Sequence, residues 1–335
     1  MFQRSGSAAA ADGRPVVAVL GASGFIGSAV LRALAEHPVL LRAVARRPTA
    51  RPLALPAVFE PITADLTDCC ALTRAVDGAD VIIYLLMDEG GWRSAESDPA
   101  AERVNVGVMR NLVEILRATT AEQPPPTVLY AGSAGQVGPR SGSRIDGSEP
   151  DRPVLAYDRQ KLAAETLLRD ATREGVARGV SIRLPTVFGH GPVADRGVVA
   201  TMARLALRGE PLPLWDVGAV TRDLLYLPDV AAAFTAALDR VDTLAGRHWL
   251  ISSGHDRPLG DVFAAIAEAV ARHTGEPPVP VVPVARPGHA TSGDSDSVSI
   301  DDSAFRAATG WRPRVSFRTA LDRTVLALLN EPHRP

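Results

Sequence analysis

Six apolar runs of strand length constrain this chain more than any other feature. They cover residues 15–20, 39–45, 58–64, 79–86, 127–131 and 180–184. Helical periodicity follows the first run and recurs at 68–76, 100–118 and 155–173. A strand that is apolar along its whole length is buried on both faces, and parallel neighbours need helical crossovers. The pattern therefore predicts an α/β fold, a doubly wound parallel sheet covered by helices on both sides. Residues 1–14 lack an apolar core and read as a disordered tail rather than a signal peptide. Beyond residue 186 the elements shorten and prolines become more frequent. The expected division is a nucleotide-binding domain over 15–186 and a smaller substrate-binding lobe over 187–335, with 226–240 returning to the first domain.

The first strand ends in Gly21-Ala22-Ser23-Gly24-Phe25-Ile26-Gly27, and a helix follows. Glycines at this spacing let the backbone turn tightly and approach a pyrophosphate, while the helix points its N–H groups at the anion. Placed at the first strand of an alternating pattern, the segment predicts a Rossmann-type dinucleotide site over Gly21, Ser23, Gly24, Phe25, Ile26 and Gly27. An acid after the second strand would accept the ribose 2′-OH of NAD, whereas an arginine accommodates the 2′-phosphate of NADP. This chain has Ala45-Arg46-Arg47 and no acid there, which points to NADPH; a solvated basic turn is the plainer reading. Asp65 and Leu66, after the third strand, are expected near the adenine.

Composition singles out one residue. Of 36 basic residues, Lys161 is the lone lysine. A lysine is a compact ammonium whose pKa can be tuned, whereas arginine stays charged. Lys161 lies four residues after Tyr157, so both occupy one helix face. A nearby ammonium, together with a positive nicotinamide in the oxidised state, would lower the phenol toward a useful range, letting it exchange a proton with a carbonyl or hydroxyl oxygen. Ser133, just past the fifth strand, lies on the sheet edge where ligands bind. A formal net charge of −2 gives no basic field for nucleic acid. No apolar run is long enough for a membrane span. Cys69 and Cys70 are adjacent and frame no disulfide scaffold, no Cys/His metal spacing occurs, and a cytoplasmic protein is expected.

Together these motifs resemble the extended short-chain dehydrogenase/reductases, the NAD-dependent epimerase/dehydratase family. The resemblance implies catalytic roles for Ser133, Tyr157 and Lys161, with Tyr157 and Lys161 also on the cofactor. The Leu85-Leu86-Met87 segment stands where the family keeps small residues by the nicotinamide ribose, leaving that contact to the backbone of Leu85 and Leu86. The segment Arg183-Leu184-Pro185-Thr186-Val187-Phe188-Gly189-His190-Gly191-Pro192 looks like the family's nicotinamide lining, with Pro185 and Val187 at the cofactor. Arg222-Asp223 and Arg286-Pro287-Gly288-His289 resemble sugar-nucleotide signatures, implying substrate contacts from Arg222 and Arg286. Trp215 stands where members place an aromatic near the base, and a core tryptophan is equally consistent.

Shorter motifs, among them Arg144-Ile145-Asp146-Gly147 and Gly246-Arg247-His248-Trp249, look like the 4-ketoreductases of antibiotic deoxysugar pathways. The dehydratases' Asp-Glu pair is replaced by Ala134 and Gly135, which argues against water elimination. The expected activity is NADPH-dependent reduction of the C4 ketone of a dTDP-4-keto-6-deoxysugar. The alternatives are an NAD-dependent nucleotide-sugar 4-epimerase and a non-catalytic NADP-binding protein. The nucleotide sugar is the expected partner, and a homodimer is left open.

Overall fold

A computed structural model describes residues 13–51, 56–119, 124–139, 144–191, 197–215, 220–288, 290, 294 and 297–331. Most of the amino-terminal tail, Pro192 and His289 therefore lie outside the described residues. The chain runs β1 (Val16–Leu20), α1 (Phe25–Leu34), β2 (Leu40–Ala45), β3 (Val58–Thr63), α2 (Cys69–Val76) and β4 (Val81–Tyr84). Short helices α3 (Gly91–Ser94) and α4 (Ala100–Glu102), a π-helical turn (Arg103–Gly107) and α5 (Val108–Thr119) lead to β5 (Thr127–Ser133). A 3₁₀ turn (Ala134–Val137), β6 (Arg144–Ile145), α6 (Ala156–Arg173) and β7 (Arg178–Leu184) come next. The remainder is β8 (Thr186–Phe188), α7 (Val198–Leu207), β9 (Leu212–Trp215), β10 (Thr221–Tyr226), α8 (Leu227–Leu238) and α9 (Val241–Leu244), then β11 (His248–Leu250) and β12 (Asp256–Pro258). It closes with α10 (Leu259–Thr274), β13 (Val281–Val284), β14 (Ser299–Ile300), α11 (Ser303–Thr309) and α12 (Phe317–Leu329).

The large sheet has seven parallel strands in the order β11-β7-β5-β4-β1-β2-β3. This is the doubly wound, Rossmann-like sheet expected from the apolar runs. Burial on both faces shows directly in β1. Val17 and Val19 pack with α1 and α8, while Val16, Ala18 and Leu20 pack with α2, α5 and α6. Strand order reverses between β1 and β4, the position where ligands enter such sheets from the strands' carboxyl ends. A third core joins α7, α10 and α12 with Phe188, Leu212, Leu214 and Leu224.

Two local differences from the sequence reading have clear causes. The helix read over 100–118 is broken by the π turn at Arg103–Gly107. That step turns Asn105 inward, where its Oδ1 accepts from the Asp88 N–H at 2.9 Å and its Nδ2 donates to Gln160 at 2.7 Å. The segment 135–153, read as loop, contains β6, which pairs with the distant β14. The returning part of the chain includes α8, packed on α1, and also β11, which completes the large sheet. No helix among the described residues is long and apolar enough to cross a membrane.

Candidate active site

The turn after β1 is built by close backbone approach. Gly21 has φ +89° and donates to the Val44 carbonyl. A side chain at Gly27 would place its Cβ 2.1 Å from the Gly21 carbonyl oxygen, so only hydrogen fits. Gly24 caps α1 without a side-chain bond, and the first turn carries no acid. The positive end of the helix dipole is therefore left for an external anion. Leu85 and Leu86 close the turn from β4, since a Cβ at Gly21 would meet the Leu85 carbonyl at 3.0 Å. Phe25 lies against Gly191, and Val187 packs against the same core as Phe25 and Leu85.

At the end of β2, Arg46 and Arg47 converge on one carboxylate, Glu89, at 3.1 and 2.6 Å. Their positive charge holds the Glu89 carboxyl below its ordinary range. Asp65 accepts from both the backbone and the hydroxyl of Thr67, which hold its carboxyl low, with Arg46 adding to the effect. Leu66 is buried beneath it in the core.

Ser133, Tyr157 and Lys161 come together where the carboxyl end of β5 meets the start of α6. Lys161 is 4% exposed, and its Nζ donates to the Ala131 carbonyl at 3.0 Å and the Leu86 carbonyl at 3.4 Å. It also lies 5.1 Å from the Tyr130 ring centre and 5.8 Å from that of Tyr157. Burial pushes its ammonium down to about 8, with the charge of Asp158 opposing. The protein's own groups act on the Tyr157 phenol in the upward direction. Burial, and then the charge of Asp158, raise it above its ordinary value. Desolvation disfavours the charged form of both groups, and Lys161 spends its hydrogen bonds on carbonyls instead of on the phenol. Tyr157 is accordingly held as the neutral phenol, the form that can give a proton.

Ser133 is fixed by a polar chain that the sequence reading missed. Its backbone N–H donates to Gln136 Oε1 at 2.7 Å, and Gln136 Nε2 donates to Glu165 at 3.0 Å. Glu165 in turn accepts from Ser181 and from Arg183, whose guanidinium is fully buried and also paired with Asp151. Burial would raise the Glu165 carboxyl, yet Arg183 and Ser181 outweigh it and keep it low. The signal was a run of charged residues on the inward face of α6 and in β7. Asp158, beside Tyr157, was also passed over; its Oδ1 accepts from the Ser133 hydroxyl at 2.8 Å.

Of the residues proposed for substrate, Trp215, Arg222 and Arg286 lie outside the large sheet. Trp215 ends β9 and pairs with Val284 of β13, two residues before the exposed Arg286. Arg222, on β10, donates to the Thr221 carbonyl and to the Asp294 carbonyl at 2.8 Å. The Asp294 carboxylate is held by both Nη atoms of Arg93, at 3.1 and 2.7 Å. The segment after β4 is thus tied to the segment that holds Arg222.

Comparison with known proteins gives a consistent assignment. The profile of the NAD dependent epimerase/dehydratase family matches residues 17–252. The chain is 28% identical to the dTDP-L-rhamnose 4-epimerase of Burkholderia thailandensis, covering 94% of this chain and 95% of that one. It is likewise 28% identical to the dTDP-6-deoxy-L-talose 4-dehydrogenase (NAD(P)(+)) of Kitasatospora kifunensis, covering 91% and 93%. The UDP-glucose 4-epimerase of Thermus thermophilus, solved with NAD, superposes with a TM-score of 0.77 at 26% identity, over 95% of this chain and all of that one.

Proposed function

Because the chain belongs to the NAD-dependent epimerase/dehydratase family, we propose that it reduces the C4 ketone of a nucleotide-activated 4-keto-6-deoxysugar with NADPH. The observation that carries this reading is the Arg46–Arg47 pair at the end of β2, in place of the acid that a ribose 2′-OH would call for. The glycine turn and the uncapped start of α1 fit a dinucleotide pyrophosphate. The nicotinamide, when bound, supplies the hydride. Tyr157 gives its phenolic proton to the ketone oxygen, Ser133 hydrogen-bonds that oxygen, and Lys161 stabilises the phenolate left behind. Arg222 and Arg286 are assigned to the diphosphate of the sugar nucleotide, and Trp215 to the base.

A nucleotide-sugar 4-epimerase is the second reading. It is supported by the likeness to a dTDP-sugar 4-epimerase and by Glu89, which already engages both arginines of the basic pair. The two readings separate in one assay. Purified protein mixed with a dTDP-4-keto-6-deoxyhexose should consume NADPH stoichiometrically with alcohol formed. Interconversion of C4 epimers without added cofactor, and no NADPH consumption, would replace the reductase by the epimerase. Tyr157→Phe should retain NADPH binding and lose about 10²–10⁴-fold in kcat, because only the proton donor is removed. Turnover close to wild type in that variant would remove Tyr157 from the acid role.

A further inference from the structure

The carboxylate beside Ser133 has no part in the chemistry so far described. Asp158 is 7% exposed and sits at the first turn of α6, between Tyr157 and Lys161. Its place is made by a missing side chain on the facing turn. A Cβ on Gly135 would stand 2.6 Å from both Asp158 carboxylate oxygens. Ser133 Oγ caps the 3₁₀ turn, where the Gln136 backbone N–H faces it in a capping box. It donates to Asp158 Oδ1 at 2.8 Å and accepts from the Gly135 N–H at 3.1 Å.

A hydroxyl has one proton and two lone pairs. With its proton directed at Asp158 and its lone pairs turned to the Gly135 and Gln136 N–H groups, Ser133 offers an incoming ligand no donor. A ketone oxygen needs a donor, so this arrangement does not suit it. We propose that Asp158 is a positioning residue that sets the direction of the Ser133 proton. Ionised, it draws that proton away from the substrate. Protonated, it releases the serine hydroxyl to donate to a ketone oxygen. No bond other than these hydrogen bonds is made or broken, and the added proton comes from solvent.

The surroundings set the balance. Burial favours the protonated carboxyl, and Glu96 adds to this; the Ser133 hydroxyl and Lys161 favour the ionised form. Glu96 reaches the same corner from the segment after α3, where it accepts from the Ala156 N–H at the start of α6. The neutral Tyr157 phenol adjoins Asp158 in the chain. The net direction is upward from the ordinary aspartate value. The protonated form is the one that assists reduction. Ketone reduction therefore falls as pH rises through the Asp158 transition.

This inference rests on the ketone chemistry proposed above, so its test includes a measurement that needs no turnover. Carboxyl-labelled aspartate can be followed by ¹³C NMR against pH, with Asp158→Asn identifying the resonance. In Ser133→Ala, loss of the hydroxyl that stabilises the anion should move the Asp158 transition to higher pH. A transition that stays in place in Ser133→Ala overturns the proposal, whatever the substrate proves to be. Kinetics supply the second arm. In wild type, kcat/KM for ketone reduction should drop on the order of 100-fold across the Asp158 transition, the scale for losing one donor to a developing oxyanion. Asp158→Asn should abolish that limb and leave any limb due to Lys161. In the Ser133→Ala background, Asp158→Asn should have almost no further effect on the profile, because the carboxylate acts through the serine. A limb that persists unchanged in Asp158→Asn also overturns the proposal. A wild type that reduces no nucleotide-linked ketone would sink the proposed function while the NMR titration still decides the role of Asp158.

Discussion

On the NADPH reading proposed above, Glu89 sets how the basic pair at the end of β2 would meet a phosphate. Its carboxylate lies where both guanidinium groups converge, so a 2′-phosphate must displace it to pair with Arg46 and Arg47. The three side chains are about half exposed, and each such pair is worth only ~0.2–1 kcal/mol in solvent. Glu89→Gln should therefore lower the KM for NADPH by roughly two- to fivefold and leave that for NADH unchanged. A higher NADPH KM in this variant would make Glu89 a support for the arginines rather than a competitor. Lys161 illustrates the same scale from the other side. Composition marked it as unusual, but its partners, two backbone carbonyls, are known only once the strands are assembled.

Among the elements, the β1–α1 turn has little room to change. Gly27 packs against the backbone of Gly21 and Ala22, and backbone atoms cannot swing aside as a flexible side chain can. Gly27→Ala should cost about 1–3 kcal/mol of stability, as overpacking does, and should abolish measurable dinucleotide binding by displacing the α1 amides. Fluorescence titration and thermal unfolding together check this. Intact binding with a lowered melting temperature would mean that the amides are not the anion's ligands. The π turn before α5 is a second element with a defined task. It exposes the Val104 carbonyl to the Tyr84 hydroxyl and turns Asn105 toward both Asp88 and Gln160. The start of α6 is thereby joined to the segment that carries Glu89 and Arg93. Hydrophobic periodicity still read this stretch as one helix, because a single extra residue per turn hardly disturbs the apolar pattern.

At the scale of the whole molecule, the large sheet and the smaller sheets are joined by strands and by buried acids. β11 belongs to the large sheet, while β12, which follows it, pairs with β10 of the three-stranded sheet. Asp223 of β10 accepts from the Ser253 N–H at 2.9 Å across that junction. Burial raises its carboxyl to about 6. An acid whose folded pKa is raised stabilises the fold only while protonated, so its contribution is lost as pH rises from about 4 through about 6. The loss amounts to ~3 kcal/mol by linkage. Urea midpoints at pH values on either side of this window should show wild type weakening with rising pH and Asp223→Asn weakening less. Identical pH dependence in the two proteins would take Asp223 out of the account. Asp229 makes a parallel connection, accepting from the Arg314 and Val315 N–H groups, while its carbonyl accepts from Trp311.

What the sequence determined by itself was whatever depends on neighbours along the chain. Alternation of apolar runs with helical stretches specified a parallel sheet covered on both faces, because strand burial is written into consecutive residues. The glycine spacing located the turn at the end of β1, and the Tyr157–Lys161 spacing put both residues on one face of α6. Tertiary structure alone decided what depends on residues far apart. The π turn is coupled to contacts of Asn105 with Asp88 and with Gln160, which lies 55 positions away. The pairing of β6 with β14 and the entry of β11 into the large sheet bridge long intervals of chain. The electrostatics of the site belong to this second class. Tyr157 and Lys161 are displaced from their ordinary pKa values chiefly by desolvation, and Asp158 meets Ser133 only because Gly135 leaves space between two elements. Hydrogen-bond direction and dielectric are properties of the assembled neighbourhood, and no spacing along the chain encodes them.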